Sequence, residues 1–366
     1  MLKILKKKSN VFFLLLLIIS IILEISFRFS PSFSEFYSVR ISPVLRLVFT
    51  PVSLIPFALS ETLILTALLL FVSWVILALI KPFFIFWGKN FPVKLKAFFF
   101  VFVKAAIIVF FLFTATFSSS YHRPSVARTM GLEIITPDRE NLILATEKIS
   151  EKLNDISTEI FYTQGVMSSY NTDFKTLSKE VKKAVLNTSE KYPFLKPSGS
   201  LAKPIALSSP LTYTHIAGIY TFFTTEPCVN TNYAHYTIPF TMAHEYAHQC
   251  GIGAEDAADF TAYLICENSN DPYVKYSALA EAFIILSNEL YEIDRDAYFN
   301  ALNSLPDVLF NDFMLESYEY SKYSDSVAGE VASSVNDAYL KANGVESGVD
   351  SYRESVLLLV SYLNQN

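Results

Sequence analysis

Apolar residues run almost unbroken through positions 1–120, then give way to the mixed polar and apolar positions of a soluble domain over 121–366. Three runs in the first region are long enough to cross a bilayer as helices: Val11–Phe27, Thr62–Ile80 and Ala97–Phe117. The shortest, Val11–Phe27, would reach about 25 Å at the helical rise, with Glu24 near the far interface. It follows Lys6-Lys7-Lys8 as a signal peptide would. No small-residue cleavage site follows and further hydrophobic segments do, so it reads as an uncleaved anchor. Lys104 interrupts the third run and is expected to face another helix or to snorkel. A fourth apolar stretch, Ile41–Leu59, is broken by Arg46, Pro51 and Pro56, which favours an interfacial or re-entrant piece over another crossing.

Beyond Tyr121 the pattern becomes helical. Thr136-Pro137 reads as an N-cap followed by a proline in the first turn, with Asp138 and Glu140 suited to that turn. Leu142, Ala145, Ile149, Leu153, Ile156 and Ile160 then form one apolar stripe. Lys196-Pro197-Ser198-Gly199-Ser200 and Lys203-Pro204 break the pattern. Residues 211–240, rich in Thr, Tyr, Ile and Phe around Gly218, suit short strands. Val356–Leu363 is apolar but far too short to span a bilayer and reads as a core helix. The expected architecture is membrane-anchored and mainly α with a small β-sheet. It has a membrane domain over 1–120 and a second domain over 121–366.

The chemistry concentrates in His244-Glu245-Tyr246-Ala247-His248. Pro239 suits a first helical turn, Phe240, Met242, Ala243 and Ala247 are apolar, and Gly251 and Gly253 stop the helix. Histidines four apart lie about 40° from each other around a helix, so both imidazoles can share one tetrahedral Zn2+. Glu245, beside the first ligand, can reach the open coordination position and take a proton from water there. A third protein ligand is needed, and His248 is the last histidine in the chain. Glu255 would open a second helix just past the glycine turn, with Asp259 one turn later on the same face. That supplies one carboxylate for the metal and another to accept the outer N–H of a ligand histidine.

His244-Glu-x-x-His248 followed by Glu255-x-x-Ala258-Asp259 resembles the gluzincins, the zincin metallopeptidases with a glutamate ligand. A longer likeness is to an uncharacterised family of bacterial membrane proteins, a domain of unknown function with zincin character. It is carried by Tyr121-His122-Arg123-Pro124, Gly218-Ile219-Tyr220, Thr225-Glu226, Asn230, Pro239-Phe240-Thr241, His244 to Gln249, Lys275-Tyr276-Ser277 and Tyr339 to Gly344. The resemblance implies a zincin-like domain over 121–366 with a strand ahead of the motif helix that offers its edge to an extended substrate. Gly218–Thr225 is the expected edge. Gly218, Ile219, Tyr220 and Glu226 are the candidate substrate-binding residues, although a strand-end glutamate satisfied by solvent is an equal reading of Glu226.

Charge and cysteine content narrow the picture further. A net charge of −6 offers no basic footprint for nucleic acid. Cys228, Cys250 and Cys266 read as buried small hydrophobes or as one disulfide with a free thiol. His215, His235, Tyr276 and Tyr339 are possible oxyanion donors, but packed side chains are the commoner use of such residues. Lys3, Lys6, Lys7 and Lys8 precede the first span, and Lys81, Lys89, Lys94 and Lys96 lie between the second and third. By the positive-inside rule both segments are cytoplasmic, which places 118–366 outside the membrane. The expectation is a multi-pass cell-membrane protein with an extracytoplasmic zinc metallopeptidase domain acting on membrane-proximal peptide or protein substrates. The alternative is a non-catalytic zinc-binding envelope or signalling module. Few polar residues line the spans, which argues against a transporter.

Overall fold

The computed structural model describes residues 8–80, 91–163, 167–345 and 354–365. Lys3, Lys6, Lys7, Lys81 and Lys89, which carry much of the orientation argument, lie outside the described residues. Three helices, α1 (Lys8–Phe29), α2 (Leu59–Ile80) and α3 (Phe91–Thr116), cover the expected spans. Each is long and apolar enough to cross a membrane, over Asn10–Phe29, Leu59–Ile76 and Phe99–Thr116 respectively. α1 packs along α3, and the Lys104 ammonium lies 5.0 Å from the centre of the Phe13 ring, so that lysine faces a neighbouring helix. The stretch between α1 and α2 is broken into short pieces, among them Pro31–Phe36, Ser42–Arg46 and a 3-10 turn over Leu47–Leu54. A π-helical turn over Tyr37–Ile41 joins these pieces, and none of them is among the helices long and apolar enough to cross a membrane. Arg46 is fully buried at the foot of the soluble half, beside Gly251.

The part of the chain after α3 is a helical assembly. α4 (Arg139–Ile156) begins two residues later than Thr136-Pro137 suggested, because the Asp138 carboxylate accepts the Asn141 N–H and caps the helix itself. α5 (Phe174–Lys191), α6 (Thr237–Gln249), α7 (Glu255–Glu267), α8 (Pro272–Ile293), α9 (Arg295–Asn303), α10 (Asp307–Ser321), α11 (Val327–Ala342) and α12 (Glu354–Gln365) follow. α8 is the central post. It packs against α4, α6, α7 and α12, and its Phe283 and Leu286 join Leu142, Ile149, Met242, Phe260 and Leu359 in one buried core. The three cysteines are buried free thiols, which removes the disulfide alternative.

β1 (Tyr162–Thr163) and β2 (Met167–Ser168) form a small antiparallel pair. β3 (Lys203–Pro204), β4 (Gly218–Thr221) and β5 (Glu226–Val229) form a second sheet in the order β3-β5-β4. Lys203-Pro204 is therefore a strand and not merely a break; proline is tolerated because β3 is an edge. β4 is the other edge, as expected, although it ends at Thr221 rather than Thr225. Its register against β5 pairs Gly218 with Val229 and Thr221 with Glu226.

The two halves are joined by buried polar contacts. Arg123 makes a two-point ion pair with Glu35, at 2.6 and 2.9 Å, and donates to the Gly251 carbonyl at 3.0 Å. That gives the Tyr-His-Arg-Pro segment a role: it fastens the loop after α6 to the short helix Pro31–Phe36 that follows α1. Glu226 is fully buried and accepts the Leu59 and Ser60 N–H groups at 3.0 and 2.8 Å, with Lys203 2.9 Å away. A carboxylate at a helix N-terminus satisfies orphan donors and complements the dipole. Glu226 thus caps α2 and does not line the cleft, contrary to the substrate-binding expectation.

Candidate metal centre

α6 carries the motif and its two ends are fixed by side chains and turns. At its start the Phe240 N–H donates to Ser277 Oγ at 2.9 Å, and the Ser277 hydroxyl in turn bonds the Tyr236 carbonyl. At its end Gly251 adopts φ +89°, a left-handed geometry that glycine reaches without penalty. The turn folds the chain back so that the Ile252 carbonyl lies 2.8 Å from His248 Nδ1. α7 then begins at Glu255, as the glycine turn predicted.

His244 Nδ1 is 2.7 Å from Asp259 Oδ1. Each histidine thus has an oxygen acceptor at Nδ1, which leaves its Nε2 facing inward. Both Nε2 atoms converge on Glu255 Oε2, His244 at 3.1 Å and His248 at 3.5 Å. These three groups form a cluster in which one ligand atom from each lies within 4.8 Å of the others. Burial drives both imidazoles toward the neutral form. Asp259 and Glu255 overcome that at His244, and Glu255 does so at His248, so both are raised. Burial pushes Glu255 up, yet His248 and His244 hold it well below the usual carboxylate range.

Glu245 behaves differently. It is 4% exposed, and its Oε2 is buried without a hydrogen-bond partner. Burial pushes its carboxyl up to about 7, against the pull of His244 and His248. Its other oxygen faces the backbone of β4, where a Cβ built on Gly218 would come within 2.4 Å of Oε1. Only glycine lets the edge strand approach the carboxylate so closely.

The cluster opens into a cleft of about 1040 Å3, to which Gly218, Ile219 and Tyr220 of the edge strand, Tyr121 and Tyr339 also contribute. The Tyr121 hydroxyl donates to that of Tyr339 at 3.0 Å. His215 reaches the wall, but its Nε2 bonds the Tyr323 carbonyl at 2.8 Å. His235 stacks on Tyr170, and the Tyr276 hydroxyl bonds Asp312 at 2.5 Å, so both are packing residues. Among the wall residues that were not foreseen are two carboxylates, Glu281 of α8 and Glu316 of α10. Burial raises both, with Glu316 and Asp259 adding to the rise at Glu281. Glu316 accepts a hydrogen bond from the Tyr236 hydroxyl. The one signal for Glu281 was a charge inside the apolar run from Ala278 to Ile285.

Fold and site together define a mainly helical protein with three apolar N-terminal helices and a buried His-His-Glu cluster at the head of a cleft. The chain belongs to the family described as Protein of unknown function (DUF3810), whose model matches residues 35–360. No curated protein and no solved structure matches it.

Proposed function

We propose that this protein is a membrane-bound zinc-dependent metallopeptidase of the gluzincin kind, with His244, His248 and Glu255 as ligands. One observation carries the reading. Zinc–ligand bonds of about 2.0–2.1 Å in tetrahedral geometry put ligand atoms roughly 3.3–3.4 Å apart. The separations of Glu255 Oε2 from the two Nε2 atoms are 3.1 and 3.5 Å. Both outer nitrogens already have the acceptors that ligand histidines need, Asp259 and the Ile252 carbonyl. A zinc ion held there would act as a Lewis acid and lower the pKa of water at the open position toward neutrality. Glu245 Oε2, buried and unpartnered at the cluster, takes the proton from the attacking water and returns it to the leaving nitrogen. The free edge of β4 receives the substrate main chain as an added strand, which brings the scissile bond alongside Glu245.

The rival reading, a zinc-binding envelope or signalling module without turnover, leaves Glu245 without a purpose, since a structural site closes its fourth position with another ligand. Metal analysis of the full-length protein alongside Glu245→Gln decides between them. The variant should retain zinc and lose about 10²–10⁴ in peptide hydrolysis, the usual worth of a general base. Equal rates in zinc-loaded wild type and variant remove Glu245 from the mechanism. Failure of both to cut any member of a broad peptide library favours the module.

The lysine distribution supports an extracytoplasmic soluble part. With Cys228, Cys250 and Cys266 replaced, Leu186→Cys on exposed α5 should react with a membrane-impermeant thiol reagent in intact cells. Labelling only after lysis places the domain in the cytoplasm.

A further inference from the structure

The cleft has a roof. α11 turns Gly329, Ala332, Ser333 and Asn336 toward it, positions that share one face of a helix. Val327, Val331 and Val335 recur every fourth residue and are 72, 58 and 64% exposed; Val327 and Val331 lie on the opposite face, and Val335 lines the cleft at its rim. α10 repeats the spacing with Phe310, Met314 and Tyr318, exposed by 41, 54 and 64%. Two successive helices with uncovered apolar rows mark a surface that meets something other than water.

The attachment of α11 says what that is. Arg28, in the last turn of α1, donates to the Ala342 carbonyl at 3.0 Å. The Tyr339 ring meets the Phe113 ring edge-on at 6.4 Å, within a turn of the end of the α3 span. The C-terminal end of α11 is therefore fixed where two membrane-length helices leave the hydrocarbon. From that point the helix extends about 24 Å. Glu330, Ser334 and the Lys341–Asp337 ion pair flank the valines with polar groups, so the apolar row is bounded on that side.

We propose that α11 lies along the membrane surface with Val327 and Val331 in the lipid and Val335 at the lipid-facing rim of the cleft, as a lid whose inner face closes the cleft. The mouth of the cleft then opens at headgroup level. Substrates reach it as peptide segments tethered beside a bilayer, a consequence that, unlike the lid itself, rests on the peptidase reading.

The test uses full-length protein in phosphatidylcholine vesicles with acyl chains either plain or brominated. Trp74 and Trp87 are replaced by Phe, and a single tryptophan is placed at Val327, Val331 or Val335, with Leu186→Trp on α5 as the solvent-side control. Bromine quenches tryptophan on contact, so all three lid positions should lose emission in brominated lipid while the control does not. Quenching at Val335 alone means that α11 rises away from the bilayer and overturns the proposal; so does emission independent of lipid at all three. Should a tryptophan variant not fold, a nitroxide on Val331→Cys gives the same answer. There, greater accessibility to oxygen than to a water-soluble nickel complex supports insertion, and the reverse sinks it. Comparing one peptide free and acyl-tethered separates the two claims. Quenching without cleavage of either form leaves the lid standing and removes the peptidase; equal cleavage of both keeps the peptidase and removes the tethered-substrate consequence.

Discussion

The two sides of the cleft hold carboxylates in opposite electrical states. On the α6–α7 side Glu255 faces two imidazole nitrogens, and they keep it ionised despite burial. On the α8–α10 side Glu281 and Glu316 face each other and the Tyr236 hydroxyl, with no cation among the described residues to offset desolvation, and burial holds them toward the protonated form. The same residue type in the same cavity is thus held toward its charged form in one place and toward its neutral form in the other. What differs is the partner. The contrast also explains why the metal reading attaches to one side only: a divalent cation needs ligand atoms already deprotonated and aimed at one point.

The comparison can be broken most directly by removing the charged side. Glu255→Ala deletes one of three converging atoms and should lower zinc affinity by more than the roughly 10–100-fold that loss of an outer hydrogen-bond partner costs. Asp256→Ala, one position along α7, should leave it unchanged. If isothermal titration shows the reverse, the neighbouring carboxylate is the ligand. Asp259→Ala is the smaller blow. It removes the 2.7 Å acceptor that orients His244, so zinc affinity should fall by about 10–100-fold while the stoichiometry stays the same. An unaltered affinity would make that contact a packing detail.

The charged side was legible because its information is local. Four-residue spacing put His244 and His248 on one face, the glycines ended α6, and Glu255 with Asp259 followed on α7 within a single turn-and-return. The three long apolar helices were equally plain from their apolar runs, and Lys104 found a helix partner as expected. The neutral side was hidden because Glu281 and Glu316 sit on separate helices and meet only through tertiary packing of α8 and α10. Glu226 was misread for a similar reason. Its position near the edge strand suggested the cleft, but its partners are the N-terminus of α2 and Lys203, far away in sequence. Thr136 and Pro137 lost the cap to Asp138, whose carboxylate accepts the Asn141 N–H.

The smallest expected effect tests the electrical contrast itself, through stability in metal-free, detergent-solubilised protein. A glutamate whose pKa is raised by folding contributes fully below its ordinary value, and that contribution is lost as pH climbs toward the raised one. Glu281→Gln keeps the neutral shape and removes the penalty. It should therefore match wild type near pH 4 and exceed it in thermal unfolding at alkaline pH. Glu255 has the opposite sign: its depressed pKa stabilises the fold above the ordinary glutamate value and fades as pH falls. Glu255→Gln should then be destabilising near neutrality and less so in acid. Parallel pH profiles for the two variants would mean that Glu281 is ionised in the folded protein. In that event the cleft would carry negative charge on both walls, and the α8–α10 side would need a cation of its own.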